Sequence, residues 1–248
     1  MLIVSLLLAL APAVLLVLYF YRRDKNKPEP KKMILKAFFA GVLSIVPAVI
    51  LAIFFQGLDS TPEPWQAVFN KSFLSAALVE EFSKLFVFWL FILNNPDFDE
   101  VTDGIVYMAI ISLGFAAFEN VLYSTGNILV GLMRAFTAVP GHALWSAVMG
   151  FFLGYSKMKK EGSPIYILIG LVLAVFYHGI YDFVLFAAAH PELTADFGWM
   201  VFLIIPVLIV SLIHCQILIK KALKIDIEAG FAHPLIQLKP VFGLDDRE

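Results

Sequence analysis

The sequence predicts an all-α membrane protein, a polytopic helical bundle of about seven transmembrane helices with a polar site in its outer half. Hydrophobic residues make up 60% of the 248 residues and charged residues only 15%, whereas soluble domains carry about 25% charged residues. The mean hydropathy is +0.86. Apolar stretches of about 20 residues, the length that crosses a bilayer, recur along the chain. A net charge of −2 without a basic region excludes nucleic acid as a partner, and the expected surroundings are a lipid bilayer.

Seven stretches are predicted to span the membrane, at about 1–21, 33–56, 68–93, 103–124, 138–156, 164–189 and 197–219. They form a single membrane domain, 1–224, and the mixed polar and apolar sequence of 225–248 is predicted to be a cytoplasmic tail. The first stretch could be taken for a signal peptide. No basic residues precede it, however, and its apolar run continues past Ala11, so an uncleaved helix is predicted.

Polar loops between the apolar stretches mark where the other predicted helices end. The second helix ends at QGLDSTPEPWQ, the third at the acidic NNPDFDEVTD and the sixth at HPELTAD. Between the fourth and fifth helices, 125–137 is too short and too interrupted to span, so we predict a surface or re-entrant segment on the outer side, carrying Arg134. The fifth helix begins near Pro140, and its Gly150 and Gly154 form a GxxxG pair that lets another helix approach closely.

Basic residues follow the first, fifth and seventh helices, whereas the loops after the second and sixth contain neither Lys nor Arg. Basic loops stay in the cytoplasm. The prediction is therefore a multi-pass protein of the plasma membrane with its N-terminus outside and its C-terminus in the cytoplasm. The basic residues concerned are Arg22, Arg23, Lys25, Lys27, Lys31, Lys32, Lys157, Lys159, Lys160, Lys220, Lys221 and Lys224.

Ionisable side chains lie inside four of these apolar helices, where a charge costs about 2.5–3.5 kcal/mol on insertion scales. A rise of about 1.5 Å per residue puts them between the bilayer midplane and the outer surface. Such a set at similar depth indicates a polar site inside the bundle. Its members are Glu80, Glu81 and Lys84 on the third helix, Glu119 and Asn120 on the fourth, His142 on the fifth, and His178 and Asp182 on the sixth.

The spacing of these residues indicates acid–base chemistry. Glu80 and Glu81 point about 100° apart on a helix, and Lys84 is within reach of either. One glutamate is therefore expected to pair with the lysine, and the other to face the cavity as a general base. His178 and Asp182 share a helix face, where the carboxylate can orient the imidazole.

The set contains no HExxH motif and no Ser-His or Asp-Asp pair that reads as a catalytic dyad, which leaves activation of water. Either a carboxylate acts as base alone, or a metal ion such as Zn²⁺ is held by Glu119, His142 and His178, since two histidines and a carboxylate are an ordinary zinc set. Two other classes stay open, a proton- or cation-coupled transporter and a non-catalytic scaffold that binds a partner helix. The absence of an internal repeat argues against the transporter, and replacing Glu80 would leave a scaffold working.

Four motifs resemble those of a known family. EExxK at 80–84, FxxxEN at 115–120, PGH at 140–142 and HxxxD at 178–182 are similar, in the same order, to the motifs of the PrsW-type intramembrane proteases. That family shares a superfamily with the CAAX prenyl endopeptidases and the bacterial Abi proteins. The resemblance covers about 30–220. The prenyl endopeptidases have a histidine in place of the glutamate of FxxxEN and an arginine one position later after the double glutamate, which argues against prenylated substrates here.

The resemblance implies an intramembrane endopeptidase that cuts a single-span membrane protein near the outer membrane face. The implied reaction is the first (site-1) cleavage of an anti-sigma factor in a signalling cascade. The enzyme would be either a metalloprotease or a metal-free glutamate protease. The residues that the resemblance makes catalytic are Glu80, Glu81, Glu119, His142 and His178, and the side chains expected to support them are Lys84, Asn120, Arg134 and Asp182.

Overall fold

The structure is a computed structural model that describes residues 2–24, 27–159 and 163–230. Within these ranges every regular element is a helix. The α-helices are α1 (Leu2–Tyr21), α2 (Lys31–Leu43), α3 (Ile45–Phe55), α4 (Pro64–Phe69), α5 (Val79–Phe91), α6 (Val101–Gly126), α7 (Ile128–Phe136), α8 (Ala138–Met158), α9 (Pro164–Ala189), α10 (Thr194–Phe197) and α11 (Ile204–Glu228). A π-helix, Asn70–Leu78, joins α4 to α5, and short 3₁₀-helices follow α3 (Gln56–Asp59) and precede α11 (Gly198–Leu203).

Five helical segments of the described chain are long and apolar enough to cross a membrane, Lys31–Leu58, Val101–Gly126, Ile128–Met158, Pro164–Ala189 and Thr194–Glu228. The prediction of an all-α membrane protein is thereby confirmed. Two of the predicted spans do not meet this measure of length and apolarity. The apolar stretch Leu10–Tyr21 of α1 is shorter. The segment of α4, the π-helix and α5 is broken, and it carries Lys71, Glu80, Glu81 and Lys84.

Helix α6 lies at the centre of the bundle and packs against α1, α2 and α8. Its residues are buried without interruption from Val101 to Ala117. Small residues allow α8 to come close. A Cβ atom on Gly104 would lie 2.8 Å from the backbone nitrogen of Gly154 and closer still to the carbonyl oxygen of Gly150. The predicted packing role of the GxxxG pair is thus confirmed, and its partner is the first turn of the antiparallel α6.

The segment that carries the two glutamates departs from the continuous helix predicted over 68–93. It begins at Pro64 with α4, widens into the π-helix and returns to α-helical geometry one residue before Glu80. π-Helical turns are rare and occur frequently at functional sites. Here the π-helix packs against α9, where the missing side chain of Gly179 leaves room for the ring of Phe73.

Several connections meet at one end of the bundle. Lys27, in the loop after α1, forms an ion pair with Asp99, which precedes α6. Lys157, in the last turn of α8, donates a hydrogen bond to the carbonyl oxygen of Phe98 at 2.5 Å. The end of α1, the starts of α2 and α6 and the end of α8 therefore lie together.

Helix α11 runs beyond the predicted end of the last span, as far as Glu228. Its Asp226 is buried and accepts hydrogen bonds from the backbone nitrogens of Val101 at 2.8 Å and Thr102 at 2.9 Å. These bonds bring the end of α11 to the same end of the bundle. The first residues of the predicted tail are therefore helical, and the remainder, 231–248, lies outside the described residues.

The stretch between the fourth and fifth predicted helices forms the short helix α7. Asn127 caps this helix by accepting a hydrogen bond from the backbone nitrogen of Leu129 at 3.0 Å. Asn120 of α6 donates to the carbonyl oxygen of Gly131 at 3.3 Å and so holds α7 against α6. Arg134, near the end of α7, is largely buried as a result.

Candidate active site

Polar side chains from α5, α6, α7, α8 and α9 meet in the interior of the bundle. The structure brings together Glu80, Glu81, Lys84, Glu119, Arg134, His142, His178 and Asp182, which are linked by contacts of 2.5–3.8 Å. All of these were singled out from the sequence. Asn120 is the one predicted member whose described hydrogen bond leads elsewhere, to the backbone of α7.

Glu81 is the member of the glutamate pair whose carboxylate is fully buried and accepts several hydrogen bonds from the protein. Its side chain is 0% exposed. The carboxylate accepts hydrogen bonds from Lys84 Nζ at 2.7 Å, from Ser146 Oγ at 2.8 Å and from His178 Nδ1 at 3.0 Å. Because its hydrogen-bonding capacity is used within the protein, Glu81 is placed to position Lys84 and His178.

Glu80 is the less buried member, with 17% of its side chain exposed. Its Oε2 lies 3.7 Å from Lys84 Nζ and 3.8 Å from His178 Nε2. Among the described residues, no hydrogen-bond donor reaches this oxygen. From the sequence either glutamate could pair with Lys84; in the structure Glu81 forms the close pair and Glu80 faces the cavity.

Two carboxylates hold the imidazole ring of His178. Nδ1 donates to Glu81, and Nε2 lies 3.3 Å from Oδ2 of Asp182. The predicted approach of Asp182 is present, but a second carboxylate, from another helix, fixes the other nitrogen. The indole of Trp145 stacks on the ring with centroids 4.8 Å apart and planes inclined by 21°.

Lys84 and Glu119 fix the orientation of His142. Lys84 Nζ lies 3.0 Å from Nδ1, and Glu119 Oε2 lies 3.1 Å from Nε2. Because an ammonium group can only donate hydrogen bonds, Nδ1 is the acceptor and Nε2 carries the proton that faces Glu119. The ammonium group is fully buried and lies 4.4 Å from the centroid of the Phe115 ring.

Arg134 completes the group from α7. Its Nη2 lies 2.5 Å from Glu119 Oε2, and its guanidinium stands 4.0 Å from the centroid of the Tyr123 ring. In the part of the chain that the structure describes, no acceptor reaches its buried Nε. Helix α7 therefore brings to the site a donor that the protein itself leaves unused.

Two cavities meet at the carboxylates of Glu80 and Glu119. The polar cavity, of about 430 Å³, is lined by these two residues together with His142, His178, Asp182 and Arg134. The apolar groove, of about 650 Å³, lies between α3, α5 and α6. It is lined chiefly by Ile45, Ala48, Val49, Ala52, Val79, Phe115, Leu122 and Val130. An apolar surface therefore leads directly to the charged groups.

A metal ion fits this arrangement. Glu80, His142 and His178 can each offer one ligand atom, and the three atoms lie within 4.8 Å of one another. Two histidines and a carboxylate suit zinc, and the Glu80 oxygen without a donor suits a cation. The set predicted from the sequence had Glu119 in place of Glu80. In the structure the carboxylate of Glu119 is held by Arg134.

Two further side chains shape the site and were missed from the sequence. Trp145 stacks on His178, and Ser146 donates to Glu81. They follow His142 by three and four residues on the same helix, which places them on the face of the histidine. Helical spacing from His142 was therefore a usable signal for both.

The chain is similar to a family of known proteins over most of its length. Residues 29–211 match the family described as PrsW family intramembrane metalloprotease. The Protease PrsW of Geobacillus kaustophilus (strain HTA426) is 39% identical over 180 residues, which cover 71% of this chain and 77% of the relative. The Protease PrsW of Bacillus subtilis (strain 168) is 36% identical over 183 residues, 73% of this chain and 82% of the relative. No solved structure matches the chain. On the family match and these relatives, the chain belongs to the PrsW family of intramembrane metalloproteases.

Proposed function

We propose that this protease hydrolyses a peptide bond of a single-span membrane protein near the outer membrane face, and that Glu80 accepts the proton of the attacking water. The observation that carries the proposal is the carboxylate of Glu80. Its Oε2 has no donor among the described residues, and the carboxylate stands where the polar cavity meets the apolar groove. Membership of a protease family decides against the transporter and the scaffold considered from the sequence alone.

The reaction needs a base for the water and a path for its proton. Glu80 takes a proton from the water, whose oxygen attacks the carbonyl carbon of the scissile bond. The proton then passes to the leaving nitrogen as the C–N bond breaks. Glu81 does not touch the substrate in this scheme and acts by holding Lys84 and His178 in place.

Negative charge develops on the carbonyl oxygen during the attack, and donors that line the polar cavity would stabilise it. Arg134 is the first of these donors, because no described acceptor uses its Nε. In the mechanism without a metal, His142 is the second, because its Nε2 carries a proton, which faces Glu119 beside the cavity. A metal bound by His142 would take the place of that donor. Glu119 contacts both groups and so fixes their positions.

The residues that would hold the metal implied by the family are Glu80, His142 and His178. Bound there, the ion would make a water more acidic and polarise the scissile carbonyl. A carboxylate has two oxygens, so Glu80 can hold a cation with one and accept a proton on the other. The positioning role of Glu81 and the donor role of Arg134 do not depend on the ion.

The apolar groove is proposed to receive the membrane segment of the substrate. Its lining is the kind of surface that an apolar helix packs against, and it ends at Glu80 and Glu119. The substrate proposed, following the family resemblance, is a membrane-anchored anti-sigma factor that undergoes its first cleavage here.

We also propose seven membrane crossings, in a membrane domain that covers 1–224. The starts of α2 and α6 lie at the same end of the bundle. A chain that leaves this end through α2 and α3 must return to it through α4, the π-helix and α5, so the broken segment crosses as well. Helix α1 also ends there. Because the basic loops lie at this end, it is the cytoplasmic one, with the N-terminus outside and the tail after 224 inside.

In lipid vesicles that contain a single-span substrate, cleavage is expected near the outer end of the substrate's membrane segment. Glu119 lies seven residues before the end of α6 and His142 four residues after the start of α8. These separations correspond to about 10 Å and about 6 Å from the helix ends. Mass spectrometry of the products locates the cut, and a cut in the cytoplasmic half of the segment would contradict the proposal.

Cysteine labelling checks the sidedness independently of activity. In a Cys215→Ser background, single cysteines replace the exposed residues Thr125 and Ala195 on the proposed outer side. Matched cysteines replace the exposed Asp99 and Lys224 on the proposed inner side. A membrane-impermeant thiol reagent added outside intact cells should label only the first pair. Labelling of only the second pair would show that the orientation is inverted and that the site opens toward the cytoplasm.

Active protein is expected to contain about one equivalent of zinc, and removing the ion with a chelator should abolish cleavage until Zn²⁺ is restored. His178→Ala should lose the ion, because it removes one of three ligands. Glu192→Gln, which changes an exposed carboxylate, should keep it. Elemental analysis measures the content. Full activity in protein without stoichiometric metal would leave Glu80 to act as a base alone.

A further inference from the structure

A second group of buried carboxylates lies at the far end of α6 from the candidate active site. Asp24 follows α1, Glu29 precedes α2, and Asp103 lies in the first turn of α6. These residues are 1%, 4% and 0% exposed, and each can offer an oxygen such that the three atoms lie within 4.8 Å of one another. Sixteen residues of α6 separate Asp103 from Glu119, which is about 24 Å along the helix. The two groups are therefore distinct.

The hydrogen bonds of this group leave several oxygens without a donor. Asp103 Oδ2 accepts two backbone N–H groups, at 2.7 and 2.9 Å. Tyr107 donates its hydroxyl to a carboxylate oxygen of Glu29. Among the residues that the structure describes, no donor reaches Oδ1 of Asp103, Oδ2 of Asp24 or Oε1 of the buried Glu100.

Two lysines at this end of the bundle contact other groups. Lys27 pairs with the exposed Asp99, and Lys157 donates to the carbonyl oxygen of Phe98. Within the described ranges, no lysine or arginine forms an ion pair with the three carboxylates. Buried carboxylates that face one another need a proton or a cation between them. One shared proton would serve a single pair, whereas a divalent cation would serve all three carboxylates.

We propose that Asp24, Glu29 and Asp103 bind a hard divalent cation. Carboxylates without nitrogen or sulfur ligands suit Mg²⁺, Ca²⁺ or Mn²⁺. The bound cation ties the connection between α1 and α2 to the first turn of the central helix α6. This site goes beyond the proposed proteolysis and does not rest on it.

Titration with Mn²⁺, observed by electron paramagnetic resonance, tests the site directly. The full-length protein in detergent is stripped with a chelator and then loaded with Zn²⁺, which fills the histidine-containing site. It should bind one saturable equivalent of Mn²⁺, displaced by Mg²⁺ or Ca²⁺. The same cations should raise its thermal unfolding temperature. A wild-type protein without saturable Mn²⁺ binding would overturn the proposal.

Variants assign the binding to these carboxylates. Glu29→Gln and Asp24→Asn should each weaken Mn²⁺ affinity by roughly 100-fold or more and remove the cation-dependent rise in unfolding temperature. Two variants are used so that misfolding of one does not obscure the result. Asp99→Asn is the matched control, since it removes an exposed carboxylate from the same end of the bundle. Wild-type affinity in both Glu29→Gln and Asp24→Asn would also overturn the site.

Discussion

Glu80→Gln is expected to reduce cleavage of a reconstituted single-span substrate by roughly 10²- to 10⁴-fold while leaving the fold intact. The amide has nearly the shape of the carboxylate but cannot serve as a base. Because no described donor depends on Oε2, the substitution should not disturb the packing of α5. Initial cleavage rates in vesicles and unfolding temperatures in detergent provide the two measurements.

Glu81→Gln gives the sharpest comparison with this variant. It should also lose activity, but with a lower unfolding temperature, because an amide nitrogen would face the donors of Lys84, Ser146 and His178. Glu192→Gln, on the surface, should match the wild type in both measurements. If Glu80→Gln retained cleavage within a few fold of wild type, Glu80 would not be the base.

Gly104→Val is expected to separate α6 from α8 and to lower both the yield of folded protein and its activity. The added side chain meets the backbone of Gly150 and Gly154, with the Cα atom of Gly154 only 3.0 Å from the new Cβ. Overpacking costs about 1–3 kcal/mol, occasionally more, and backbone cannot move aside as a flexible side chain can. These two helices also carry Glu119 and His142, whose 3.1 Å contact would lengthen.

Gly57→Val is the matched control, because a Cβ there meets nothing within 4 Å. It should unfold at the wild-type temperature in detergent and cleave at the wild-type rate. A Gly104→Val protein that unfolds at the wild-type temperature would show that the close approach of α6 and α8 is not required for stability.

The class of fold could be predicted from the sequence because a membrane helix needs a continuous run of apolar residues long enough to cross the bilayer, and such a run is visible in the sequence alone. The sequence was also sufficient to single out the charged residues of the site on α5, α6, α8 and α9, because each interrupts such a run. Trp145 and Ser146 escaped, because neither is out of place in a membrane helix. The π-helix escaped prediction. Its contact with α9, where Gly179 leaves room for Phe73, joins residues that are distant in the chain. Asp226 was assigned to a tail because its partners, the first backbone nitrogens of α6, are equally remote.

Which glutamate pairs with Lys84 could not be predicted from the sequence either. Spacing placed Lys84 within reach of both glutamates and could not choose between them. The choice is made by Ser146 and His178, which lie on other helices and fill the remaining positions around Glu81. Tertiary contacts therefore decide which carboxylate remains available for chemistry.

The segment of α4, the π-helix and α5 is synthesised well before the residues that contact its charged side chains. Ser146 and His178 follow Glu81 by 65 and 97 residues, and His142 follows Lys84 by 58. Until the ribosome has made those residues, the contact available to Glu81 is the one with Lys84, three residues away in the same helix at 2.7 Å. In the proposed arrangement of seven crossings, that pair would let the charged segment leave the translocon with part of its charge already balanced, and the later helices would complete the site around it.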